Sequence, residues 1–349
     1  MIVSVAFFFG YFLLSPKREK IPDPSALVSQ LDLSKSNHKI QFGVYFYPWY
    51  DKSRWKTPHR QTPIIENYNS SDLKTVHWQL KKIESAGFNF VIFEIVPPRD
   101  HAFDLVWKST IEAIQILKKE RNMHWSFLID TKFYNEGTTI NEIYELFYLI
   151  KKNGLTDGLE KGTTEKPLIF IFSPSSIEAK EIIKKYGKEF DLRFPIWYPD
   201  SLWDSPVKSQ VLFSSDRQDS LYLKEEKNKI TTYKYLESKD YIPFWTDTAF
   251  LKGHNIYNGF VSVIPGYDDL PQKRNPQLAP KVSRFLGRTY LQQFKYAIKK
   301  NPRYVVVYGW NEYLESTEIE PTKEYGEFYL KLTELMIDKA RGLENSAMP

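Results

Sequence analysis

The chain has 349 residues, of which 42% are hydrophobic and 26% charged, so it can bury a sizeable core and is not a disordered chain. Its formal charge is +5, without a Lys/Arg stripe interleaved with aromatics, which argues against a nucleic-acid partner. Cysteine is absent, which removes disulfides, Cys-based metal sites and thiol catalysis. The unusual figure is 16% aromatic residues, which build cores and also supply flat platforms on which rings stack.

Residues 1–15 (MIVSVAFFFGYFLLS) are almost wholly apolar and are followed by Pro16-Lys-Arg-Glu-Lys20. They read as a signal or anchor segment, which places the remainder of the chain outside the cytoplasm or tethers it to a membrane. The run is shorter than the roughly 20 residues that cross a bilayer and has no small-x-small cleavage site. A late start, an atypical signal sequence and a buried first helix are the alternatives. Residues 16–39 are polar and lack periodicity, as a linker or stem does.

From residue 40 short apolar runs alternate with amphipathic stretches, the pattern of a parallel α/β fold. Strands are predicted at Ile40–Tyr47, Phe88–Val96, Trp125–Asp130, Leu168–Phe172, Phe194–Trp197, Val211–Phe213, Phe260–Ile264 and Tyr304–Tyr308. Helices are predicted at Asp72–Ala86 with Asp72 as N-cap, Ser109–Glu120, Ile140–Asn153, Ile177–Tyr186, Gly287–Lys300 and Glu324–Arg341. This repetition predicts one catalytic domain over 40–341, a (β/α)8 TIM barrel, with a doubly wound open sheet as runner-up and 342–349 as a tail.

Several predicted strands end in chemistry-capable groups: Tyr47-Pro-Trp-Tyr-Asp51, Pro97-Pro-Arg-Asp-His101, Asp130, Pro265-Gly-Tyr-Asp-Asp269 and Asn311-Glu312. Barrel active sites lie at the carboxyl ends of strands, so these endings form a candidate ring. In Val305-Val-Val-Tyr-Gly-Trp-Asn-Glu312 an apolar strand stops at an amide and a carboxylate, and Glu315 follows three residues later. In an extended strand these two side chains face opposite ways, so both reach one site only if the chain turns after Glu312.

Two neighbouring carboxyl groups are what glycosidic-bond cleavage needs: one protonated to assist the leaving oxygen, one ionised as base or nucleophile. Glu312 and Glu315 are therefore the candidate catalytic residues. The bland alternative is that they cap a helix or make surface ion pairs. Tyr47, Trp49 and Tyr50 make a candidate sugar-stacking wall, or the packed rim of a core. Tyr267 and Asp268 lie in a turn whose carboxylate suits sugar hydroxyls or an Arg such as Arg274. Asp130, Trp310, Asn311 and Tyr313 complete the candidate substrate-binding set. The His residues have no metal-ligand spacing and no Gly-rich phosphate loop or GxSxG occurs, so neither a metal nor a cofactor is expected.

These residues resemble glycoside hydrolase family 99, the endo-α-mannosidases, and the related WbsX-like proteins of bacterial polysaccharide loci. The likeness runs through Phe46-Tyr-Pro-Trp-Tyr50, Ser85-Ala-Gly-Phe88, Pro97-Pro98, Phe127-Leu-Ile-Asp130, Lys166-Pro-Leu-Ile-Phe170, Pro265-Gly-Tyr-Asp268 and the Trp310–Pro321 block, which is the specific one. The resemblance implies a (β/α)8 barrel that cuts internal α-mannosidic linkages with retention and without a metal. It also implies that Glu312 is the base acting on the substrate's own 2-hydroxyl, through a 1,2-anhydro sugar, and that Glu315 is the acid/base. Asp130 stands where relatives often carry Glu, Ser316 replaces a usual Gly, Leu314 stands where a polar residue or His is common, and Gln79 replaces a frequent His. An oligosaccharide or polysaccharide is the expected partner. Sugar transfer in cell-envelope polysaccharide biosynthesis and non-catalytic glycan binding are the rival readings.

Overall fold

A computed structural model describes residues 21–33, 39–120, 122–131, 138–172, 176–194, 223–226, 229–233, 260–268, 270–272, 281–282, 284–299 and 302–343. Its centre is a parallel sheet of seven strands: β1 (Gln41–Phe46), β2 (Phe90–Ile95), β3 (His124–Asp130), β4 (Leu168–Phe172), β5 (Asp191–Arg193), β6 (Phe260–Val263) and β7 (Tyr304–Val307). The strands lie in the order β5-β4-β3-β2-β1-β7-β6, so the last strand pairs with the first, Tyr304 beside Gln41 and Val307 beside Val44. The strands are rich in Val, Ile and Phe and buried nearly throughout, as parallel strands with both faces covered must be.

Six longer helices accompany the strands: α2 (Leu73–Ser85), α3 (Phe103–Glu120), α4 (Ile140–Lys152), α5 (Ser176–Tyr186), α6 (Arg288–Lys299) and α7 (Phe328–Arg341), after a short first helix, α1 (Pro24–Val28). Asp72 caps α2 by accepting from the Thr75 N–H, as expected, and Thr139 with Glu142 makes a capping box at α4. Helix α3 begins earlier than expected because Asp100 accepts from the Ala102 N–H at 2.5 Å and stops the preceding loop there. Helix α7 begins later, because a turn at Gly326, with φ of 56°, closes back on Thr322 first.

The sheet is strongly curled. On its inner face Tyr45 of β1 meets Phe170 of β4 at 5.9 Å, and Phe170 meets Phe260 of β6 at 5.6 Å. The two edge strands also touch, since the Arg193 guanidinium of β5 lies 4.7 Å above the Phe260 ring. The α/β class and the parallel strands agree with expectation, and among the described residues the sheet is open, its two edge strands not being paired; the strand expected at Val211–Phe213 lies outside the described residues, as does most of Phe194–Trp197. The fifth strand is instead Asp191–Arg193, whose charged ends read as loop. Inside the protein they neutralise each other, Arg193 Nε lying 2.9 Å from Asp191 Oδ1 with both side chains 5% exposed.

Residues 1–15 lie outside the described residues. No helix among the described residues is long and apolar enough to cross a membrane. Part of the segment read as a stem carries α1, and Leu27, Val28, Leu31 and Leu33 are buried there, with Lys339 of α7 donating to the Val28 carbonyl at 3.2 Å. The segment reads as polar because these apolar residues are spaced among Ser, Gln and Asp.

One inner-face position has no room for a side chain. A Cβ on Gly43 would lie 2.4 Å from Phe90 Cζ. Gly43→Ala is expected to destabilise the protein by about 1–3 kcal/mol through overpacking. Thermal unfolding of the variant checks this, and an unchanged midpoint would show that the Phe90 ring moves aside freely.

Candidate active site

All seven strands point the same way, so whatever ends them gathers on one side of the sheet. Strand β7 ends at Val307, and after Tyr308 the chain folds back over β1: the Trp310 N–H donates to the Tyr45 carbonyl at 2.6 Å and the Glu320 N–H to the Trp310 carbonyl at 2.8 Å. Gly309 sits against Tyr47, whose Cε2 would lie 2.6 Å from an added Cβ. Between Glu312 and Glu315 the chain does turn, with the Thr317 N–H donating to the Glu312 carbonyl at 3.1 Å. Ser316 follows with φ of 53°, a left-handed conformation that favours glycine, and its hydroxyl donates to the Asp268 carbonyl at 3.1 Å.

Asn311 fixes this loop. Its Oδ1 accepts from the Tyr47 N–H at 2.9 Å, while its Nδ2 donates to the Tyr47 carbonyl and the Tyr68 hydroxyl, both at 3.0 Å. Behind it the Tyr68 and Tyr313 hydroxyls donate to Glu320 Oε2 at 3.2 and 2.8 Å, and Gln79 donates to Glu320 Oε1 at 2.7 Å. The Tyr313 N–H donates to the Tyr50 hydroxyl at 3.1 Å. Thus Trp310, Asn311, Tyr313 and Tyr50, expected in the substrate-binding set, are fully buried members of the loop's scaffold.

Burial pushes the Glu320 carboxyl up to about 7, against the hydrogen bonds from Gln79, Tyr313 and Tyr68 that favour its ionised form. In the unfolded chain such a group titrates near about 4.3. The folded protein therefore keeps a proton that the unfolded chain loses. The stability this contributes is full below about 4.3, declines as pH rises toward about 7, and stays level above. Glu320→Gln is expected to flatten that decline, measured by denaturant unfolding across the window; an identical slope would contradict the assignment.

Four carboxyl groups converge beneath the loop. Glu94 (β2) is 6% exposed, Asp130 (β3) 7%, Glu312 3% and Glu315 9%, so none is held in bulk water. Glu94 and Asp130 are hydrogen-bonded, and the charges of Asp130, Glu312 and Glu315 all act on Glu94. Burial, followed by these charges, pushes the Glu94 carboxyl well above the usual carboxylate range. The Tyr308 hydroxyl donates to Glu315 Oε2 at 2.9 Å, and the Leu314 N–H donates to Glu312 Oε1 at 2.9 Å. Tyr47 stands among Glu94, Glu312 and Glu315, its hydroxyl pushed well up by burial and by those charges.

Tyr47 packs on Trp49 with ring centroids 4.9 Å apart, and the Arg54 guanidinium lies 5.1 Å from the Trp49 ring. On the other flank Tyr267 and Asp268 are buried, and Asp268 Oδ2 lies 3.1 Å from Arg60 Nε; Arg274, the partner expected for it, lies outside the described residues. The Asp268 N–H donates to the Glu315 carbonyl at 2.8 Å, which ties this flank to the Glu312–Glu315 turn. In the ending Pro97–His101, Asp100 accepts from the Ala102 N–H in the turn before α3 and Arg99 Nε lies 2.8 Å from Glu142. Among the described residues no group of three or more His, Asp or Glu side chains is arranged to hold a metal ion.

Sequence reasoning passed over Glu94, Tyr68, Tyr308 and Glu320. The available signal for Glu94 was a single carboxylate inside Phe90-Val-Ile-Phe-Glu-Ile95, a position where an unpaired charge is too costly to be idle.

A family model described as "Glycosyltransferase WbsX" matches residues 136–333, which include the Pro265–Asp268 turn and the whole Trp310–Pro321 block. A search of curated proteins finds no match. Among solved structures the chain is similar to a family 99 endo-α-mannosidase from Bacteroides thetaiotaomicron in complex with bis-tris propane, at 18% identity and a TM-score of 0.58 over 90% of this chain and 100% of that one. Another structure of the endo-α-mannosidase from that organism is 17% identical, with the same TM-score and coverage. A glycoside hydrolase-like protein matches at 12% identity and a TM-score of 0.52, over 90% of this chain and 99% of that one. At these identities the likeness speaks for the shared fold.

Proposed function

The chain belongs to the WbsX family, whose model covers more than half of it, and from that premise we propose that it is a retaining, endo-acting glycoside hydrolase of α-mannose-containing glycans. The observation that carries the reading is the pair Glu312 and Glu315, buried on one turn at the carboxyl side of a parallel sheet and within electrostatic reach of the same Tyr47 and Glu94. The similarity to solved endo-α-mannosidases supports the substrate class.

In this reading Glu312 takes the proton of the sugar's 2-hydroxyl as its oxygen attacks C1. Glu315 gives a proton to the departing glycosidic oxygen, and a 1,2-anhydro sugar results. Water then adds at C1 with loss of a proton to Glu315, the C1–O2 bond breaks, and Glu312 returns its proton to O2. Both carboxyl groups end as they began, and two displacements at C1 restore its configuration. The Leu314 N–H on Glu312 favours the ionised base, and the Tyr308 hydroxyl sets the orientation of Glu315. Tyr47, Trp49, Asp130, Tyr267 and Asp268 are assigned to the sugar, while Tyr50, Trp310, Asn311 and Tyr313 shape the loop. The strand order, with β7 beside β1, and the Arg193–Phe260 contact support closure of the sheet into a (β/α)8 barrel over residues 40–341. We assign residues 1–15 to export or anchoring, which puts the catalytic domain where extracellular or envelope glycans are met.

Transfer to a sugar hydroxyl instead of water is the second reading, and the matched family, named for glycosyl transfer, favours it. Incubation with α-mannan fragments in ¹⁸O-labelled water separates the two. Hydrolysis leaves the heavy atom in a shortened product. Unlabelled, lengthened glycans would establish transfer, and no new product at all would sink both.

A further inference from the structure

Glu94 belongs to no motif that carries the family resemblance, yet it lies at the centre of the carboxylate cluster. Its place follows from register. In the β2–β3 pairing Glu94 stands beside Leu128, so Asp130, two residues further along β3, shares the same face of the sheet. On β1 the matching face carries Tyr45, which pairs with Ile92, and then Tyr47. This is the inner face, because Tyr45 reaches Phe170 across it. Glu94 therefore meets Tyr47 from β1, Asp130 from β3, Tyr308 from just after β7, and Glu312 and Glu315 from the loop beyond.

Two carboxyl groups joined by a hydrogen bond need a proton between them, since two carboxylates have only acceptors to offer. The proton belongs on the member facing more negative charge. Glu94 is buried and feels Asp130, Glu312 and Glu315 together. Ionising it as well would add a negative charge beside those of Asp130 and Glu312 in the same buried region.

We propose that Glu94 is a positioning residue of the reaction: it carries a proton shared with Asp130, holds Asp130 toward the sugar, and spares the centre the charge that would oppose ionisation of Glu312. The role attached to the reaction rests on the glycosidase reading above; the shared proton does not. Glu94 touches no reacting atom and acts through Asp130 and Glu312. As pH rises and Glu94 ionises, the donor to Asp130 is lost and repulsion spreads the cluster apart, so activity falls.

The test uses the full chain with Glu94→Gln, Glu94→Leu and Asp130→Asn. Glu94→Gln keeps a donor for Asp130 but cannot ionise. Its kcat/KM on α-mannan fragments is expected to drop only about fivefold, and the alkaline limb of the pH profile to become shallower. Glu94→Leu leaves Asp130 without that donor and is expected to lose about a hundredfold, mostly in kcat. Infrared difference spectra of protein labelled with ¹³C-glutamate should show a protonated carboxyl band at neutral pH. Glu94→Gln should remove the Glu94 component of that band, leaving the component from Glu320, and Asp130→Asn should shift the Glu94 component. That readout needs no turnover and no second variant to fold, so it stands apart from the glycosidase assignment. The Glu94 component without any glycan cleavage would sink the assignment and leave the shared proton. Cleavage without that component, or with a pH profile unmoved by Glu94→Gln, would overturn the proposal.

Discussion

Glu312→Gln and Glu315→Gln are each expected to lower kcat/KM by about 10³-fold on an internal α-mannoside, within the range a positioned acid or base supplies. The two differ on activated substrates. An aryl glycoside with a good leaving group departs without protonation, so Glu315→Gln should recover much of its first-step rate there, whereas Glu312→Gln should not, because O2 still has to be deprotonated. Both changes are isosteric, and the Gln side chains can still accept from Leu314 N–H or Tyr308, so unfolding midpoints should stay near that of the wild type. Equal losses on both substrates would reverse or merge the two roles, and unchanged hydrolysis in either variant would remove that residue from the chemistry.

The largest expected effect on stability falls one residue before the base. Asn311→Leu has a similar volume but none of the polar atoms, so it strands the Tyr47 N–H and carbonyl in the interior and takes a partner from Tyr68. Each stranded buried group costs about 1–3 kcal/mol, and a total of about 3 kcal/mol is expected. Because the same bonds fix the start of the Glu312 loop against β1, activity of the folded fraction should also fall, by about 10²-fold if the carboxylate shifts by about an ångström. Denaturant unfolding and initial rates measured on the same preparation separate the two effects. A stable variant with full activity would mean that the loop holds its place without the clamp.

The strand–helix alternation, the cap at Asp72 and the need for a turn after Glu312 could all be read in the sequence, because they rest on local patterns: apolar periodicity, capping chemistry and side-chain direction. What escaped depended on partners distant in sequence. Asp191 and Arg193 look like loop residues until each is seen to neutralise the other inside the fold. Glu94 looks like an interruption in an apolar strand until Asp130 arrives beside it. The aromatic crowding at residues 47–50 reads as a sugar wall or a packed rim, and Trp310 and Tyr313 as part of a substrate-binding set. In the structure all of them are buried: Tyr47 packs on Trp49 and stands near Glu94 and Glu312, while the Tyr313 N–H donates to the Tyr50 hydroxyl within the loop. Composition alone does not divide such a set, because a ring that faces a ligand and a ring that supports a loop are the same residue type.

Glu320 shows the same limit from the other side. In the sequence it is one of several acidic residues after a strand and reads as solvated, yet it anchors Gln79, Tyr68 and Tyr313 in the interior. Gln79, at the position where the family resemblance leads one to expect a His, supplies a neutral donor to that carboxyl group at 2.7 Å. The departure is thus accommodated within the scaffold and does not reach the Glu312–Glu315 turn.

The claim at the centre of this account is that Glu312 and Glu315 act together in a double displacement at one anomeric carbon. The most direct measurement is ¹H NMR of the first product formed by the wild-type chain from an internal α-mannoside, taken before mutarotation. The account predicts the α-anomer at the new reducing end. The β-anomer appearing first would show a single displacement by water and contradict it.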